Sequence, residues 1–328
     1  MQTVSGIRKF KCYNCLCNKS ISNSEVRNMS YDSNKVDRLS ELISSFVCHA
    51  SSHLPDDVNT RLAQMREVET EGFAPAIYNV MAKNMEMADE LGRPSCQDTG
   101  IPQFFVRVGT GWPFLNEIEP SLIEAIKKAT VRAPLRHNAV EVFDEYNTGS
   151  NIGHKVPWID WELVQDSDEL ELFFYMAGGG CSLPGMAKVL MPLEGYDGIA
   201  RAVFDQMTTY GVNACPPGLV GIGIAGSAEV AAKLSKKALL RPVGSHNPNL
   251  KAAQMEKDIE EGLNSIGLGP GGFGGRMSVM GVNIEQAARH PATLAVGMST
   301  ACWAHRRAGI RIHPDMSYDF FTHKGVTL

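Results

Sequence analysis

From Val36 onward, apolar positions recur every three or four residues. VDRLSELISSFV, LPDDVNTRLAQMREVET and APAIYNVMAKNMEMADELG each carry one apolar face, and the last ends at Gly92 ahead of Pro94. This spacing predicts three helices in succession. The methionines of the third fall on its apolar stripe and are expected in the core. After Pro94 the period shortens. IPQFFVRVG, ELELFFYMAGGG, GLVGIGIAG, LAVGMS and GIRIH read as strands, with glycines closing two of them. Between them PSLIEAIKKATVRA, GYDGIARAVFDQMTTYG, SAEVAAKLSKKALL and KAAQMEKDIEEGLNSIG read as helices, and GPGGFGG as a glycine-rich loop. The pattern predicts a mixed α/β (α+β) fold: a helical N-terminal segment, then helices and strands intermixed.

Composition narrows the function classes. The 328 residues are 44% hydrophobic and 20% charged, with a formal net charge of −5, as expected of a globular chain with a large core. There is no basic footprint for nucleic acid, no apolar run of membrane-spanning length and no apolar leader. Residues 1–28 are basic and rich in Ser and Asn, without apolar period. They are expected to be a disordered tail or an extension upstream of a start at Met29, ahead of a domain spanning residues 29–328. Eight cysteines without an export signal point to a reducing cytoplasm, where thiols serve metal or catalysis.

Three of these cysteines, Cys12, Cys15 and Cys17, crowd the N-terminal segment. No second ligand pair follows at a spacing that would complete a tetrahedral site, so this cluster is not expected to be the metal centre. Cys96 in RPSCQDTG, Cys181 in GGGCSL, Cys215 in NACPPG and Cys302 in STACWAHRR stand singly. A lone cysteine is commonly a small buried hydrophobe. Cys96, Cys215 and Cys302, however, lie in turn-like contexts, and Cys-Pro can end a cluster-ligand run. GIGIAG, Gly221–Gly226, satisfies a dinucleotide fingerprint. It lacks the acidic residue expected about 20 residues on, so close strand–helix packing is the preferred reading. The glycines of MAGGGCSLPG form either a tight turn or an anion-binding nest.

At these same residues the chain resembles the iron–sulfur hydro-lyases that include the class I fumarases. The resemblance rests on RPSCQDTG, APLRHNAVEVFDEYNTG, MAGGGCSLPG, KVLMPLEGY, VNACPPGLVGIGIA, RPVGSHNPN, SVMGVNIEQAARHPAT and STACWAHRR, in that order, and begins near Met29. It implies a [4Fe–4S] cluster held by Cys96, Cys215 and Cys302, with one iron lacking a protein ligand and open to substrate. Cys181 is then read as pocket lining. The resemblance further implies that Gln97 and Asp98 contact substrate, with Asp98 transferring a proton at the departing oxygen. It implies that Arg136 clamps a substrate carboxylate, that Gly179 offers it a backbone amide, and that His290 sits beside the second carboxylate. The motifs look most like the branch that dehydrates L-tartrate to oxaloacetate; fumarate–malate interconversion is the alternative. A non-catalytic iron–sulfur sensor is the reading from another class, and a nicotinamide oxidoreductase rests on GIGIAG alone. Single-chain members carry a second domain, so the resemblance implies a separate small (beta) subunit and an α2β2 heterotetramer.

Overall fold

The computed structural model describes residues 32–328; the expectations for residues 1–28, including Cys12, Cys15 and Cys17, lie outside them. Three helices lead: α1 (Ser33–Ser52), α2 (Asp56–Val68) and α3 (Ala74–Leu91). Asp32 caps α1, its carboxylate accepting from the Asn34 and Lys35 amides, which satisfies amides that would otherwise be orphaned at the helix start. Strand β1 (Ile101–Gly109) follows, then α4 (Ile118–Arg132), the short pair β2 (Val140–Glu141) and β3 (Tyr146–Asn147), β4 (Trp158–Val164) and β5 (Leu170–Ala177). Next come a single turn α5 (Gly179–Ser182), β6 (Met186–Leu190), α6 (Gly195–Tyr210), β7 (Gly218–Ala225), α7 (Ala228–Ala238) and α8 (Leu250–Ser265). Strands β8 (Val279–Gln286), β9 (Leu294–Ala301), β10 (Arg307–Ile312) and β11 (Tyr318–Phe320) complete the chain. The expected α/β mixture is present, and no helix among the described residues is long and apolar enough to cross a membrane.

Two mixed sheets organise the molecule. The first runs β11-β10-β5-β1-β4 and the second β6-β9-β7-β8, with β1–β4 and β7–β8 the parallel pairs. On the first sheet, Phe104, Leu172, Phe174 and Ile310 meet Leu39, Ile43 and Phe46 of α1 and Leu122 and Ile126 of α4. On the second, Ile222, Ile284 and Val296 meet Val203 and Met207 of α6 and Ile259 and Leu263 of α8. A third core, around Tyr78, Tyr175, Leu219, Leu239 and Ala301, joins α2 and α3 to both sheets. Met81 lies in it with Met85 against it, as the apolar stripe predicts, whereas Met87 is exposed.

Helix α7 packs on β7 and β9 and faces β4 through Lys233–Asp160 at 2.6 Å and Lys237–Glu162 at 2.7 Å. The glycines of GIGIAG explain how closely it approaches. A Cβ on Gly223 would stand 1.9 Å from the Ala231 carbonyl oxygen, and one on Gly221 would stand 2.2 Å from that of Ser235. Packing against a helix backbone is therefore what these glycines do. Gly223→Ala should lower stability by about 1–3 kcal/mol, the usual cost of overpacking, read as a fall in melting temperature; an unchanged melt would refute the packing role.

The C-terminal segment is tied to α1 by histidines. His49 stacks on His53 at 4.2 Å and meets His323 edge-on at 4.8 Å. Burial, then the neighbouring His53 and His323, lowers the His49 pKa from 6.5 to about 4. Unfolding restores the ordinary value, so the unfolded chain binds more protons between pH 6.5 and 4. Stability contributed by neutral His49 is thus full above pH 6.5 and lost as pH falls towards 4. Urea unfolding at stepped pH should show that decline, and His49→Gln should flatten it.

Candidate active site

Three strand ends of the first sheet meet two of the second. β1 begins where β5 ends, with Ile101 paired to Ala177, and Arg307 at the start of β10 pairs with Tyr175. In the second sheet Leu219 at the start of β7 pairs with Ala301 at the end of β9. Residues 302–306 cross directly from β9 to β10, from one sheet to the other. The loops carrying Cys96, Cys215 and Cys302 all leave from this junction. The Trp303 amide donates to the Cys215 carbonyl at 3.1 Å, fastening two of them together.

Each loop is held by specific contacts. Asp98 is the hub of the first: its Oδ1 accepts from the Gly100 amide at 3.0 Å and its Oδ2 from the Gly179 amide at 2.8 Å. Arg306 donates from Nη2 to the Asp98 carbonyl at 2.6 Å. The triple glycine lets three segments close up. A Cβ on Gly178 would stand 2.9 Å from Asp98 Oδ2, and one on Gly180 2.4 Å from the Asn213 carbonyl. The nest at the end of β5 therefore does receive a carboxylate, and it is that of Asp98. The amide of Gly179, expected to serve a substrate anion, donates to Asp98 in this structure. Cys215 adopts a left-handed φ of 51°, a conformation that costs an L-residue about 1–2 kcal/mol and is found mostly at functional turns.

The thiols sense one another. Cys215 titrates higher than an ordinary thiol, through partial desolvation and then the charges of Cys96, Cys181 and Asp98. Interaction between the Cys302 and Cys181 thiols raises the pKa of Cys302 and lowers that of Cys181. Burial adds to the rise at Cys302, and the Arg306 cation opposes it. Cys181 is buried beneath the junction, its thiol directed to the Gly178 carbonyl at 3.2 Å and lying 3.8 Å from the Tyr175 hydroxyl.

Arg136 and Gln97 are exposed beside this junction. The Arg136 amide donates to Thr99 Oγ1 at 3.1 Å, and Asn138 Nδ2 donates to the Gly100 carbonyl at 2.9 Å. These bonds lay the Arg136 loop along the Asp98 loop. His290 is elsewhere. It precedes β9, next to Gly226 at the far end of β7, whereas Cys302 follows β9. β9 spans eight residues, Leu294–Ala301, so its two ends stand roughly 25 Å apart at about 3.3 Å per residue. Within this chain the extended β9 therefore holds His290 apart from the cysteine loops.

Among the described residues no three His, Cys, Asp or Glu side chains converge closely enough to hold one metal ion. A [4Fe–4S] cluster makes a different demand, since each thiolate binds its own iron and the ligands stand apart. Cys96, Cys215 and Cys302 on three loops around one junction match that demand. So does the charge: Arg306 is 1% exposed, and its Nε and Nη1 have no acceptor among the described residues. A buried cation with donors to spare suits an anionic thiolate cluster.

Comparison with known proteins agrees with these motifs. A family model described as fumarate hydratase (Fumerase) matches residues 40–311. The chain is 53% identical over 298 residues to the L(+)-tartrate dehydratase subunit alpha of Escherichia coli strain UTI89, covering 90% of this chain and 98% of that protein. The protein of the same name from strain K12 is 52% identical over the same shares. A putative L(+)-tartrate dehydratase subunit alpha from Methanocaldococcus jannaschii is 36% identical over 85% of this chain and 99% of its own length. Every loop that builds the junction lies inside the matched span, and the chain belongs to the fumarate hydratase (Fumerase) family.

Proposed function

We propose that the chain is the cluster-carrying alpha subunit of a two-subunit hydro-lyase that dehydrates L-tartrate to oxaloacetate in a reducing, cytoplasmic setting. The observation that carries the reading is the meeting of Cys96, Cys215 and Cys302 with Asp98 and Arg136 at one sheet junction, in a chain 53% identical to a tartrate dehydratase alpha subunit. Cys96, Cys215 and Cys302 would hold a [4Fe–4S] cluster. When bound, its open iron supplies a Lewis acid for the hydroxyl that leaves.

The chain's own groups supply the rest. L-Tartrate loses a carbon-bound proton and the neighbouring hydroxyl, giving water and an enol that ketonises to oxaloacetate. Asp98, fixed by the Gly100 and Gly179 amides, is held in one orientation and transfers a proton at the departing oxygen. Gln97 contacts the substrate beside it. Arg136 has no ion-pair or hydrogen-bond partner for its guanidinium among the described residues, so its planar fork is free to clamp a carboxylate. Arg136→Lys should raise KM about tenfold or more, the scale of one lost charge-assisted hydrogen bond, with the iron content unchanged. The beta subunit supplies the remaining substrate contacts and the group that takes the carbon-bound proton, in an α2β2 assembly. The whole is therefore tested as a co-expressed complex.

Anaerobic turnover of L-tartrate, D-tartrate, malate and fumarate by that complex tests the reading. Oxaloacetate formed selectively from L-tartrate is expected. The description of the matching family model favours fumarate–malate interconversion as the second reading, which that pair of substrates would reveal. An intact cluster with no turnover of any of them would overturn both in favour of a sensor.

A further inference from the structure

Arg306 and Arg307 are adjacent, and both are almost wholly buried. They are provided for differently. Arg307 forms an ion pair with Asp57, although its own Nε and Nη1 reach no acceptor among the described residues. Arg306 has no carboxylate partner among the described residues; its Nη2 reaches only the Asp98 carbonyl, and its Nε and Nη1 reach no acceptor. Successive residues entering a strand face opposite sides, so the two guanidiniums diverge, and Arg306 is the one on the side of the cysteine loops. The Arg306 amide and the Cys302 thiol both donate to the Ala304 carbonyl, at 2.9 and 3.5 Å, which folds the 302–306 crossover so that the cation accompanies the thiol. An uncompensated buried charge costs several kcal/mol. A protein retains one where an anion is to be met.

We infer that Arg306 is a positioning residue for the cluster: its free N–H groups donate to sulfur of the cluster or of Cys302, while its Nη2 fixes the Asp98 loop. One guanidinium thereby couples cluster retention and electron affinity to the placement of the proton-transfer carboxylate. This rests on the proposed cluster. The physical basis is general: hydrogen bonds to sulfur and nearby positive charge raise a cluster's reduction potential, and outer-shell partners stabilise the ligands they touch.

The test uses the complex with its beta subunit, purified anaerobically, as wild type, Arg306→Gln and Arg306→Lys. Iron and sulfide content, the rate of iron loss to a chelator and the cluster's reduction potential are measured. Arg306→Gln should lose iron about 10–100-fold faster, the scale of outer-shell substitutions, with the potential shifted to more negative values. Arg306→Lys keeps the charge but not the fork, and should hold the potential near that of wild type while losing iron at an intermediate rate. Wild-type potential and iron loss in Arg306→Gln would overturn the inference and leave Arg306 a packing residue. If Arg306→Gln fails to assemble, as circular dichroism and size-exclusion chromatography report, Arg306→Lys decides: faster iron loss with an unchanged metal-free melt supports the role, and an unchanged rate refutes it. A wild type that binds no iron would sink the cluster reading itself, before any variant is compared.

Discussion

Cys215→Ser, made in the complex of this chain with its beta subunit, should abolish iron retention and reduce L-tartrate turnover by at least about a thousandfold. Metal Lewis acids contribute several kcal/mol to charge stabilisation in the transition state, and about 4 kcal/mol corresponds to that factor. Cys96→Ser and Cys302→Ser should behave alike, because in the proposed site the three thiols form one ligand set and removing any member breaks it. Cys181→Ser gives the contrast. Buried against Tyr175 and Gly178, Cys181 should be replaceable with the iron content preserved. Iron and sulfide analysis of the four variants checks the assignment; equal iron in Cys215→Ser and wild type would refute it.

Asp98→Asn should cut turnover by about 10²–10⁴, the usual contribution of positioned acid–base transfer, with iron unchanged. The substitution keeps the shape and removes the charge. It also spoils the hub. Both carboxylate oxygens of Asp98 accept backbone N–H bonds, from Gly100 and Gly179, and an asparagine would turn its NH₂ towards one of those donors. The loss should therefore appear in kcat and also as a modest rise in KM, because the Arg136 loop is fastened to the same segment through Thr99 and Gly100. Unchanged kcat would remove Asp98 from the chemistry.

How legible this was depended on where each element's stability comes from. Helices α1 to α4, α6, α7 and α8 follow from their own apolar spacing, since each buries one stripe. Strands β1, β5, β7, β9 and β10 follow from apolar runs closed by glycine or polar residues. β4, WIDWELV, is not among the strands that the apolar pattern predicts, and Asp160 and Glu162 interrupt its apolar residues. Their partners, Lys233 and Lys237, lie on a helix that only the fold brings opposite. β6 and β8 also went unassigned, although the apolar residues of β8 are buried in the second core.

At the site, the cysteines came from resemblance. Spacing alone left them as separate turn residues, and their convergence is a property of the sheet junction. The separation of His290 from Cys302 is readable in the sequence: LAVGMS reads as a strand, and a strand of that length holds its two flanks apart. The Arg306–Arg307 pair was visible as an anion-recognising run. That one residue would find a carboxylate and the other none required the opposing faces of a strand and the position of Asp57.

The most direct test of the central claim is the iron Mössbauer spectrum of the anaerobic complex with and without L-tartrate. In the proposed cluster, three protein thiolates for four irons would leave one iron exposed to substrate, so L-tartrate should shift the signal of a single iron site and leave the other three unchanged. A full cluster whose irons all ignore L-tartrate, or iron bound with no cluster signature, would contradict the account.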